Sequence, residues 1–455
     1  MRLRSFALAA LPLVASQTAP APLTVQDLHA RFLSVARGKS GDLWPGFDPA
    51  RYVLVAREEG SADSVLRFSP DPSAAKPEVF MVVDAAYVRS HSLEDDLALV
   101  FHEAFHAFEG DKSRSGARWR SENASLLFEY SDSTPRNDAL LGIESRLLGE
   151  ALRAKEGESL RSAAAKFLAM RRLRQGELEP RFVEFEKGLE SNEGLAEYAG
   201  FRGVSLAIGV AASGAVALPL EHRTEEAFLG DTFKPLASIG ESGKNPRRRF
   251  YFTGSAQAFL LDRLLPEWKR RVQQDAAALQ DLLAEAAGGE DPEKVAAAVL
   301  EGAGYEAALE AATKAAAKRR DSARALRESV LGKGGLRVVV EVAGGGAIRS
   351  FDPMNVVLVE GGGRVHTRML EIGGPANLRA DFERALVQET KEGRFTTVFE
   401  PADRVSASVD GRAVDLSKPG EHRGPRILVE GPGLKVTADE GVLVVERDRV
   451  LVRGG

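Results

Sequence analysis

One short segment constrains this chain more than any other: the run His102-Glu103-Ala104-Phe105-His106, set inside a strongly helical stretch. An α-helix has 3.6 residues per turn, so positions i and i+4 lie on one face and both imidazoles can reach a single metal ion. Glu103 lies beside them, where a carboxylate can act as a general base toward water. The pattern predicts a zinc-dependent hydrolytic site, typically that of a peptidase. The alternative is a helix with two ordinary solvated or core histidines.

The residues around this motif predict the helix that carries it. Ser92 with Asp95 three residues later is typical of a capping box, and Gly110 is a natural stop. Two stripes of side chains run between these ends. The apolar one consists of Leu97, Phe101, Ala104 and Phe108, and the other consists of Leu99, His102, His106 and Glu109. We therefore expect a helix that lies between two halves of a domain, with an apolar side and a metal-binding side.

Length and composition narrow the class of protein. A chain of 455 residues exceeds one ordinary core, so two or three domains are expected. Its hydrophobic content of 44% and charged content of 28% are typical of a soluble globular protein. The net charge of −5 argues against a nucleic-acid partner, and no later stretch predicts stable membrane insertion. The absence of cysteine excludes disulfides, thiolate metal ligands and a lipoprotein anchor.

The first residues have the pattern of a signal peptide. Arg2 and Arg4 form a basic start, an apolar stretch follows, and Val14-Ala15-Ser16 offers small residues for cleavage. The apolar stretch is too short to span a bilayer. We therefore expect residues 1–16 to be removed on export. Export without cysteine favours a periplasmic or extracellular bacterial protein.

Apolar periodicity predicts an α+β chain whose larger part is a mostly helical domain at residues 21–331. Strand-like runs at 52–56, 65–68 and 79–83 predict a small sheet before the motif. Helical patterns occupy 25–36, 139 to about 175, 256–264, 268–287 and 292–330.

A change of period after the glycine-rich residues 332–335 predicts a second domain at residues 336–455. Short strands are expected at 337–342, 355–360, 364–372, 394–399, 426–430, 434–437 and 442–447. Asp410-Gly411 and Glu440-Gly441 are expected to be turns between strands. We expect an independent all-β domain, an antiparallel sandwich or barrel.

A catalytic zinc ion usually takes three protein ligands, so the motif needs one more. No third histidine follows it closely, since the next histidine is His222. The best carboxylate is Glu193, in the run Ser191-Asn192-Glu193-Gly194-Leu195-Ala196-Glu197. Glu144 and Glu150 in the preceding helix are alternatives, and Glu193 on a solvated helix face is a third possibility.

The motif and the Asn-Glu-Gly-x-Ala run together resemble the gluzincin metallopeptidases, the clan of thermolysin and the aminopeptidase N-like enzymes. Those enzymes carry an Asn-Glu pair on a second helix, and its glutamate is the third zinc ligand. The resemblance implies a zincin-like catalytic domain in which Glu193 binds zinc and Glu197, four residues later, orients a ligand histidine. The interval from His106 to Glu193 is longer than in most gluzincins. Small residues at Gly194, Ala196, Gly200 and Gly203 would let this helix approach the metal helix closely.

Other polar residues are weaker candidates. In such enzymes a tyrosine, histidine or arginine commonly stabilises the developing oxyanion. The candidates here are Tyr198, His222, Tyr251 and the basic run Arg247-Arg248-Arg249, although a lone tyrosine is more often a core anchor. The remaining histidines are isolated and expected to be solvated: His29, His91, His366 and His422.

Taken together, the sequence predicts an exported zinc peptidase with one catalytic Zn²⁺ ion. His102, His106 and Glu193 are the expected ligands, Glu103 the general base, and a peptide or protein the substrate. An endopeptidase is favoured over an aminopeptidase, because no motif for a free amino terminus is found. Two alternatives remain: a non-catalytic metal-binding scaffold of the cell envelope, and a zinc hydrolase of non-peptide substrates.

Overall fold

The computed structural model of the chain describes residues 25–37, 43–49, 53–55, 65–69, 79–82, 91–111, 119–123, 126–127, 130, 134–239, 246–289, 291–302, 304–332, 334–342, 347–351, 355–359, 363–383, 385–390, 393–399 and 404–454. The signal peptide predicted at residues 1–16 lies outside the described residues. Within the described part of the chain, no helix combines the length and apolar character that crossing a membrane requires.

Helices dominate the part of the chain before residue 332. In chain order they are α1 (Val25–Ala36), α2 (Leu93–Gly110), α3 (Pro135–Arg153), α4 (Glu158–Gln175), α5 (Pro180–Leu189), α6 (Leu195–Ala212), α7 (Glu225–Thr232), α8 (Pro246–Leu264), α9 (Trp268–Asp275), α10 (Leu279–Ala287), α11 (Pro292–Gly302) and α12 (Tyr305–Leu331). A π-helical turn, Glu190–Gly194, joins α5 to α6, and a short 3₁₀ helix, Lys234–Ser238, follows α7.

These bounds confirm most of the predicted helical segments and divide some of them. Helix α1 has the predicted limits, and α8 begins at Pro246 rather than at residue 256. The segment predicted at 268–287 is two helices, because Ala276 takes a left-handed conformation (φ 53°) that ends α9. Non-glycine residues rarely take this left-handed conformation. The apolar periodicity of the sequence therefore does not indicate that the helix ends at Ala276.

Helix α2 begins and ends where the sequence predicts. The Ser92 hydroxyl accepts a hydrogen bond from the Asp95 amide at 3.1 Å, and the Asp95 carboxylate accepts one from the Ser92 amide at 3.3 Å. This reciprocal pair satisfies two backbone donors that the first turn would otherwise leave unpaired. Gly110 is the last helical residue.

A three-stranded antiparallel sheet precedes α2, as predicted. Its strands are β1 (Val53–Val55), β2 (Val65–Ser69) and β3 (Val79–Val82), in the order β1-β2-β3. Val53 pairs with Ser69 and Val65 with Val82, which leaves β3 at an edge of the sheet among the described strands. Helix α2 packs against β2 and β3.

The chain after α12 is a β region, which confirms the predicted change from helix to strand. Its strands are β4 (Leu336–Glu341), β5 (Ala347–Phe351), β6 (Val356–Val359), β7 (Gly363–His366), β8 (Leu370–Gly373), β9 (Arg379–Phe382), β10 (Val387–Glu389), β11 (Arg394–Phe399), β12 (Ser406–Val409), β13 (Arg412–Ala413), β14 (Gly420–Gly431), β15 (Leu434–Val445) and β16 (Arg449–Gly454).

These strands form one mixed sheet rather than the purely antiparallel arrangement expected. The order is β13-β12-β14-β15-β16-β4-β11-β10-β7-β6, and β9 joins β15 to the branch β8-β5. Strands β16 and β4 run parallel, with Val450 opposite Val338, so the antiparallel prediction was wrong at this pair. The cause is that β16, the last strand of the β region, pairs with β4, the first strand of that region. No local sequence pattern encodes a pairing over such a long range.

One of the two predicted turns is confirmed and the other is wrong. Asp410 and Gly411 both have positive φ, and Val409 pairs with Arg412 on either side of them, as in a two-residue hairpin turn. Glu440-Gly441 instead lies inside the continuous strand β15, where Gly441 pairs with Gly424 of β14. A Cβ at Gly441 would overlap the carbonyl group of Arg453 on β16. This glycine therefore allows close approach of a neighbouring strand.

Contacts between Cα atoms divide the chain into two compact units. The first combines Met1–Asp111 with Gly200–Glu225, and the second combines Lys112–Ala199 with Glu226–Gly455. The boundary falls inside α6, so this helix runs through both. The predicted domain limits at residues 331 and 336 remain a prediction.

Each unit has its own buried core. In the first, aromatic side chains gather around α2: Phe32, Trp44, Phe47, Phe101 and Phe105. In the second, the largest apolar cluster of the β region includes Val338, Ile372, Phe395, Val436 and Val452. A smaller cluster there joins Val330 of α12 to Val359 and Val365.

Two glycines of α6 lie directly against α2 within the first unit. A Cβ at Gly200 would come within 2.6 Å of the Ala98 carbonyl oxygen, and one at Gly203 would overlap the Phe101 ring. The predicted close approach of the two helices is therefore confirmed at these two positions, where only glycine fits. Gly200 faces the backbone of α2 and Gly203 faces a buried ring, so the distance between α6 and α2 is closely fixed.

Asp96, in the first turn of α2, is a buried carboxyl group. Its side chain is 1% exposed, and one carboxyl oxygen has no hydrogen-bond partner within the described part of the chain. Burial raises the pKa of Asp96 to about 7, while His91 acts against this shift and Asp95 adds to it. The folded state therefore favours the protonated form.

We expect Asp96→Asn to raise the melting temperature by an amount that grows with pH. The folded pKa lies above the unfolded one, so between about pH 4 and pH 7 the unfolded chain releases a proton that the folded chain keeps, and the free energy of unfolding falls. Asparagine does not titrate and escapes this loss. Melting curves at about pH 5 and about pH 8 measure the effect, with the same change at exposed Asp275 as control. An equal gain at both pH values would contradict the assignment.

Candidate metal centre

Helix α2 presents the motif on one of its faces. His102 is 5% exposed, while Glu103 and His106 are half-buried. The intervening Ala104 and Phe105 are fully buried and turn toward the core. The helix thus holds the two imidazoles rigidly, with Nε2 of His102 and Nε2 of His106 3.1 Å apart.

A third residue of the same helix orients His106. Nδ1 of His106 lies 3.2 Å from a carboxylate oxygen of Glu109, one turn later. A neutral imidazole that donates from Nδ1 has its lone pair on Nε2, which is the atom that faces His102. Carboxylate–histidine pairs of this kind fix the tautomer and raise the basicity of a metal-binding imidazole. Glu109 lies on the histidine stripe predicted from the sequence, but no role was predicted for it; its i+3 spacing from His106 was the available signal.

We expect Glu109→Gln to weaken zinc binding by about 10–100-fold, the usual effect of removing a group that orients a ligand. The amide still accepts a hydrogen bond, but it lacks the charge that favours donation from Nδ1. Competition with a chromogenic chelator measures the dissociation constant. Unchanged zinc affinity in a variant with wild-type melting temperature would show that Glu109 does not orient a metal ligand.

Glu193 lies in the π-helical turn between α5 and α6. This turn widens the helix by one residue, a feature that is frequent at functional sites. The glycine that follows, Gly194, meets Gly254 of α8 so closely that a Cβ on it would lie 2.6 Å from the Gly254 Cα. The backbone of this turn therefore packs directly against the backbone of α8. Glu193 itself is buried, with 7% of its surface exposed.

A buried network of charges anchors the first residue of this turn. Glu190 accepts two hydrogen bonds from Arg171, each of 2.8 Å, and one from Thr253 at 2.5 Å. The network continues to Glu144, which Arg171 and Arg174 both contact. Members of such a buried network hold each other in place, because an unpaired buried charge is very costly.

The network also bears on the alternative ligands. Glu144 is fully buried and its two oxygens are bound by arginines, while Glu150 is exposed. Farther along the network, burial opposes ionisation of Glu186 but Arg174 lowers its pKa to about 2. Glu144 and Glu186 are thus hydrogen-bonded to buried guanidinium groups.

Among the described residues, His102, His106 and Glu193 each offer one donor atom within 4.8 Å of the other two. Two imidazoles and one carboxylate are a donor set found at catalytic zinc ions. Tetrahedral zinc with bonds of about 2.0–2.1 Å separates its ligand atoms by about 3.3 Å, close to the spacing of the two Nε2 atoms. The donor chemistry and the spacing therefore fit a zinc ion.

Arg247 of α8 connects Glu193 to two further residues. Its guanidinium donates to Glu193 at 2.5 Å, to Glu122 at 2.7 and 3.1 Å, and to the Tyr251 hydroxyl at 2.7 Å. Burial opposes the charge on Arg247, but the hydrogen bonds to Glu122 and the charge of Glu193 raise its pKa. Burial, and then the charge of Glu193, raise the pKa of Tyr251 well above its ordinary value, so its hydroxyl stays protonated.

The structure separates the other candidates by their partners. Tyr198 is fully buried, donates to Asp262 at 2.7 Å and packs edge-on against Phe259 and Trp268, as a core anchor does. Glu197 is half-buried on α6, one turn after Glu193, and its charge acts on Tyr251. Its contact with a ligand histidine remains a prediction.

His222 belongs to the other end of α2. Its Nδ1 lies 2.6 Å from the Glu94 carboxylate, and its backbone amide donates to the same group at 2.7 Å. Glu94 is eight residues before His102, which corresponds to about 12 Å along a helix. His222 therefore ties the segment before α7 to the first turn of α2, and we give it no catalytic role.

One histidine expected to be solvated is buried instead. His366 on β7 is 1% exposed, and its Nε2 lies 2.9 Å from Glu389 on the neighbouring strand β10. The prediction for His366 was therefore wrong. Cross-strand pairing, with His366 opposite Val387, brings this residue into the sheet interior.

Two functional candidates have no local sequence signal. Glu122 lies between α2 and α3, distant in the chain from both Arg247 and Asn192, whose side chains contact it. Arg247 was noticed only as part of a basic run, whereas Arg248 of that run is exposed and Arg249 donates to Tyr130.

No protein-family model, curated protein or solved structure matches this chain. The assignment of the site therefore depends on the geometry and chemistry of its own residues.

Proposed function

We propose that this protein is a zinc-dependent peptidase. The observation that carries the proposal is the convergence of His102, His106 and Glu193 donor atoms beside Glu103, the residue that follows the first histidine. The helical region would be a gluzincin-like catalytic domain, in accord with the two sequence motifs, and residues 336–455 an all-β domain of sandwich or barrel type. Its place of action would be the periplasm or the exterior of a bacterial cell.

The residues of the site would have separate roles in catalysis. His102, His106 and Glu193 would hold the zinc ion, which would supply Lewis acidity for the scissile carbonyl and for water. Glu103 takes a proton from the attacking water and returns it to the leaving amine, which general acid–base catalysis requires. The protonated Tyr251 hydroxyl is the best candidate to donate to the developing oxyanion.

The strand order supports an extended peptide as substrate. Strand β3 is at the edge of its sheet among the described strands, and it packs against α2, which carries the motif. An exposed strand edge offers backbone donors and acceptors that an extended peptide can pair with. Such pairing needs no free amino terminus, so we favour an endopeptidase.

An assay with purified full-length protein tests the proposal. We expect zinc-loaded protein to fragment a denatured protein substrate, a chelator to stop the reaction, and added zinc to restore it. His106→Ala is the matched control and is expected to lose zinc and activity together. Stoichiometric zinc without cleavage would favour a scaffold or a hydrolase of other bonds. Absence of zinc binding would overturn the proposal.

A further inference from the structure

Arg247 has almost no free hydrogen-bonding capacity. A guanidinium group carries five N–H donors in a rigid fork, and four of them are engaged here. Nε donates to one oxygen of Glu122, one terminal nitrogen donates to the other oxygen of Glu122 and to Glu193, and the second terminal nitrogen donates to Tyr251. A side chain occupied in this way does not bind a substrate carboxylate. It fixes the groups that it contacts.

Glu122 is held from a second side. Asn192 lies next to Glu193 in the π-helical turn. Its side-chain amide donates at 3.4 Å to Oε2 of Glu122, the oxygen that also accepts from the terminal nitrogen of Arg247. The backbone just before Glu122 also lies against α5, since a Cβ at Gly188 would come within 2.7 Å of the Ser121 carbonyl oxygen. The Glu122 carboxylate is nearly buried, at 6% exposure. Glu122 is therefore a fixed acceptor that sets the direction of the Arg247 fork.

The charges give Glu122 a second role. A guanidinium group beside a metal-binding carboxylate competes with the metal ion for the negative charge of that carboxylate. This electrostatic competition is strong where water is excluded. Glu122 places a negative charge in bidentate contact with the same guanidinium and offsets this competition. Arg247 can then hold one oxygen of Glu193 while the carboxylate stays available to the metal.

We propose that Arg247 and Glu122 form a positioning pair for the metal centre. Arg247 fixes one carboxylate oxygen of Glu193 and the phenol oxygen of Tyr251, and Glu122 both orients Arg247 and balances its charge. The pair thereby sets the third ligand and the oxyanion donor at a constant separation. This inference rests on the proposed function, because positioning has meaning only if Glu193 binds zinc and Tyr251 meets the substrate.

Four variants test the pair: Arg247→Met, Arg247→Lys, Glu122→Gln and Arg248→Met. The last is the matched control, since Arg248 is the exposed neighbour on the same helix. We expect Arg247→Met to weaken zinc binding by about 10–100-fold, as loss of a group that orients a ligand does. At saturating zinc it should also lower kcat with little change in KM, because Tyr251 acts in the transition state. Arg247→Lys should recover part of the zinc affinity but little of kcat, since an ammonium group cannot span Glu193 and Tyr251 together.

Glu122→Gln keeps the shape of the side chain and removes its charge. We expect Glu122→Gln to weaken zinc binding about tenfold. This variant tests the pair independently if Arg247→Met fails to fold. A double-mutant cycle of Arg247→Lys with Tyr251→Phe should be non-additive in kcat, because Arg247 acts through Tyr251.

The outcomes separate this inference from the proposed function. If the wild-type protein binds no zinc, the proposed function fails and the pair has no metal ligand to position. If the wild-type protein binds zinc and cleaves peptides while Arg247→Lys and Glu122→Gln match it in zinc affinity and kcat, the positioning pair alone is overturned. Equal losses in Arg248→Met would also overturn it, because they would reflect general charge rather than these contacts.

Discussion

Glu103→Gln is expected to bind zinc with the stoichiometry of the wild-type protein and to lose kcat by several orders of magnitude. Glutamine has nearly the shape of glutamate, so the half-buried position on α2 accommodates it. Its amide accepts no proton, however, and general-base catalysis alone contributes on the order of 10²–10⁴-fold. Metal analysis and kinetics with a peptide substrate measure the two effects separately.

The metal content of this variant decides its meaning. If Glu103 were a ligand, Glu103→Gln would lose zinc along with activity, as His106→Ala should. If the centre were merely structural, the variant would keep zinc and the protein would show no activity to lose. Full zinc content with a collapse of kcat and an unchanged KM is the result that assigns Glu103 to proton transfer.

Helix α2 was predictable because its determinants are local. The capping box between Ser92 and Asp95 acts over three residues, and the i, i+4 spacing of His102 and His106 follows from the helix pitch. The turn at Asp410-Gly411 is similar, since it requires only positive φ at two neighbouring residues. In each case the residue types and their spacing contain the physical cause.

The environment of Glu193 was not predictable in the same way. Its π-helical turn depends on Gly194 meeting Gly254, and its neighbour Arg247 depends on Glu122, 125 residues earlier in the chain. In the sequence, the arginines and glutamates of the network around Glu190 have the pattern of ordinary charges on a helix surface. In the structure, however, Arg171 and Arg174 are 2% and 0% exposed. Long-range packing decides which charges are buried, and one sequence does not show it.

The β region gives the same contrast in a simpler form. Alternating apolar residues indicated strands, but the parallel pairing of β16 with β4 and the passage of β15 through Gly441 depend on partners far along the chain. Local β patterns specify which face of a strand is buried, whereas strand order follows from the global topology.

Glu193→Ala is expected to remove zinc and activity together. Two histidines alone form a weak site, because a catalytic zinc ion normally takes three protein ligands. The variant also removes the negative charge that Glu193 places against the Arg247 guanidinium, so the charge of Arg247 is offset less and a cation bound nearby is further disfavoured. Retention of zinc during dialysis against a mild chelator, measured by metal analysis, tests this expectation. The melting temperature of the metal-free proteins serves as the folding control.

Glu197→Ala is the matched comparison, one helical turn farther along α6. If Glu197 orients a ligand histidine, its removal should cost about 10–100-fold in zinc affinity or activity and leave the metal bound at saturating zinc. If both residues were on a solvated helix face, neither change would alter zinc content. Loss of zinc from Glu197→Ala with retention by Glu193→Ala would reverse the two roles and shift the gluzincin resemblance by one turn. The 7% exposure of Glu193 and its place beside His102 and His106 favour the first outcome.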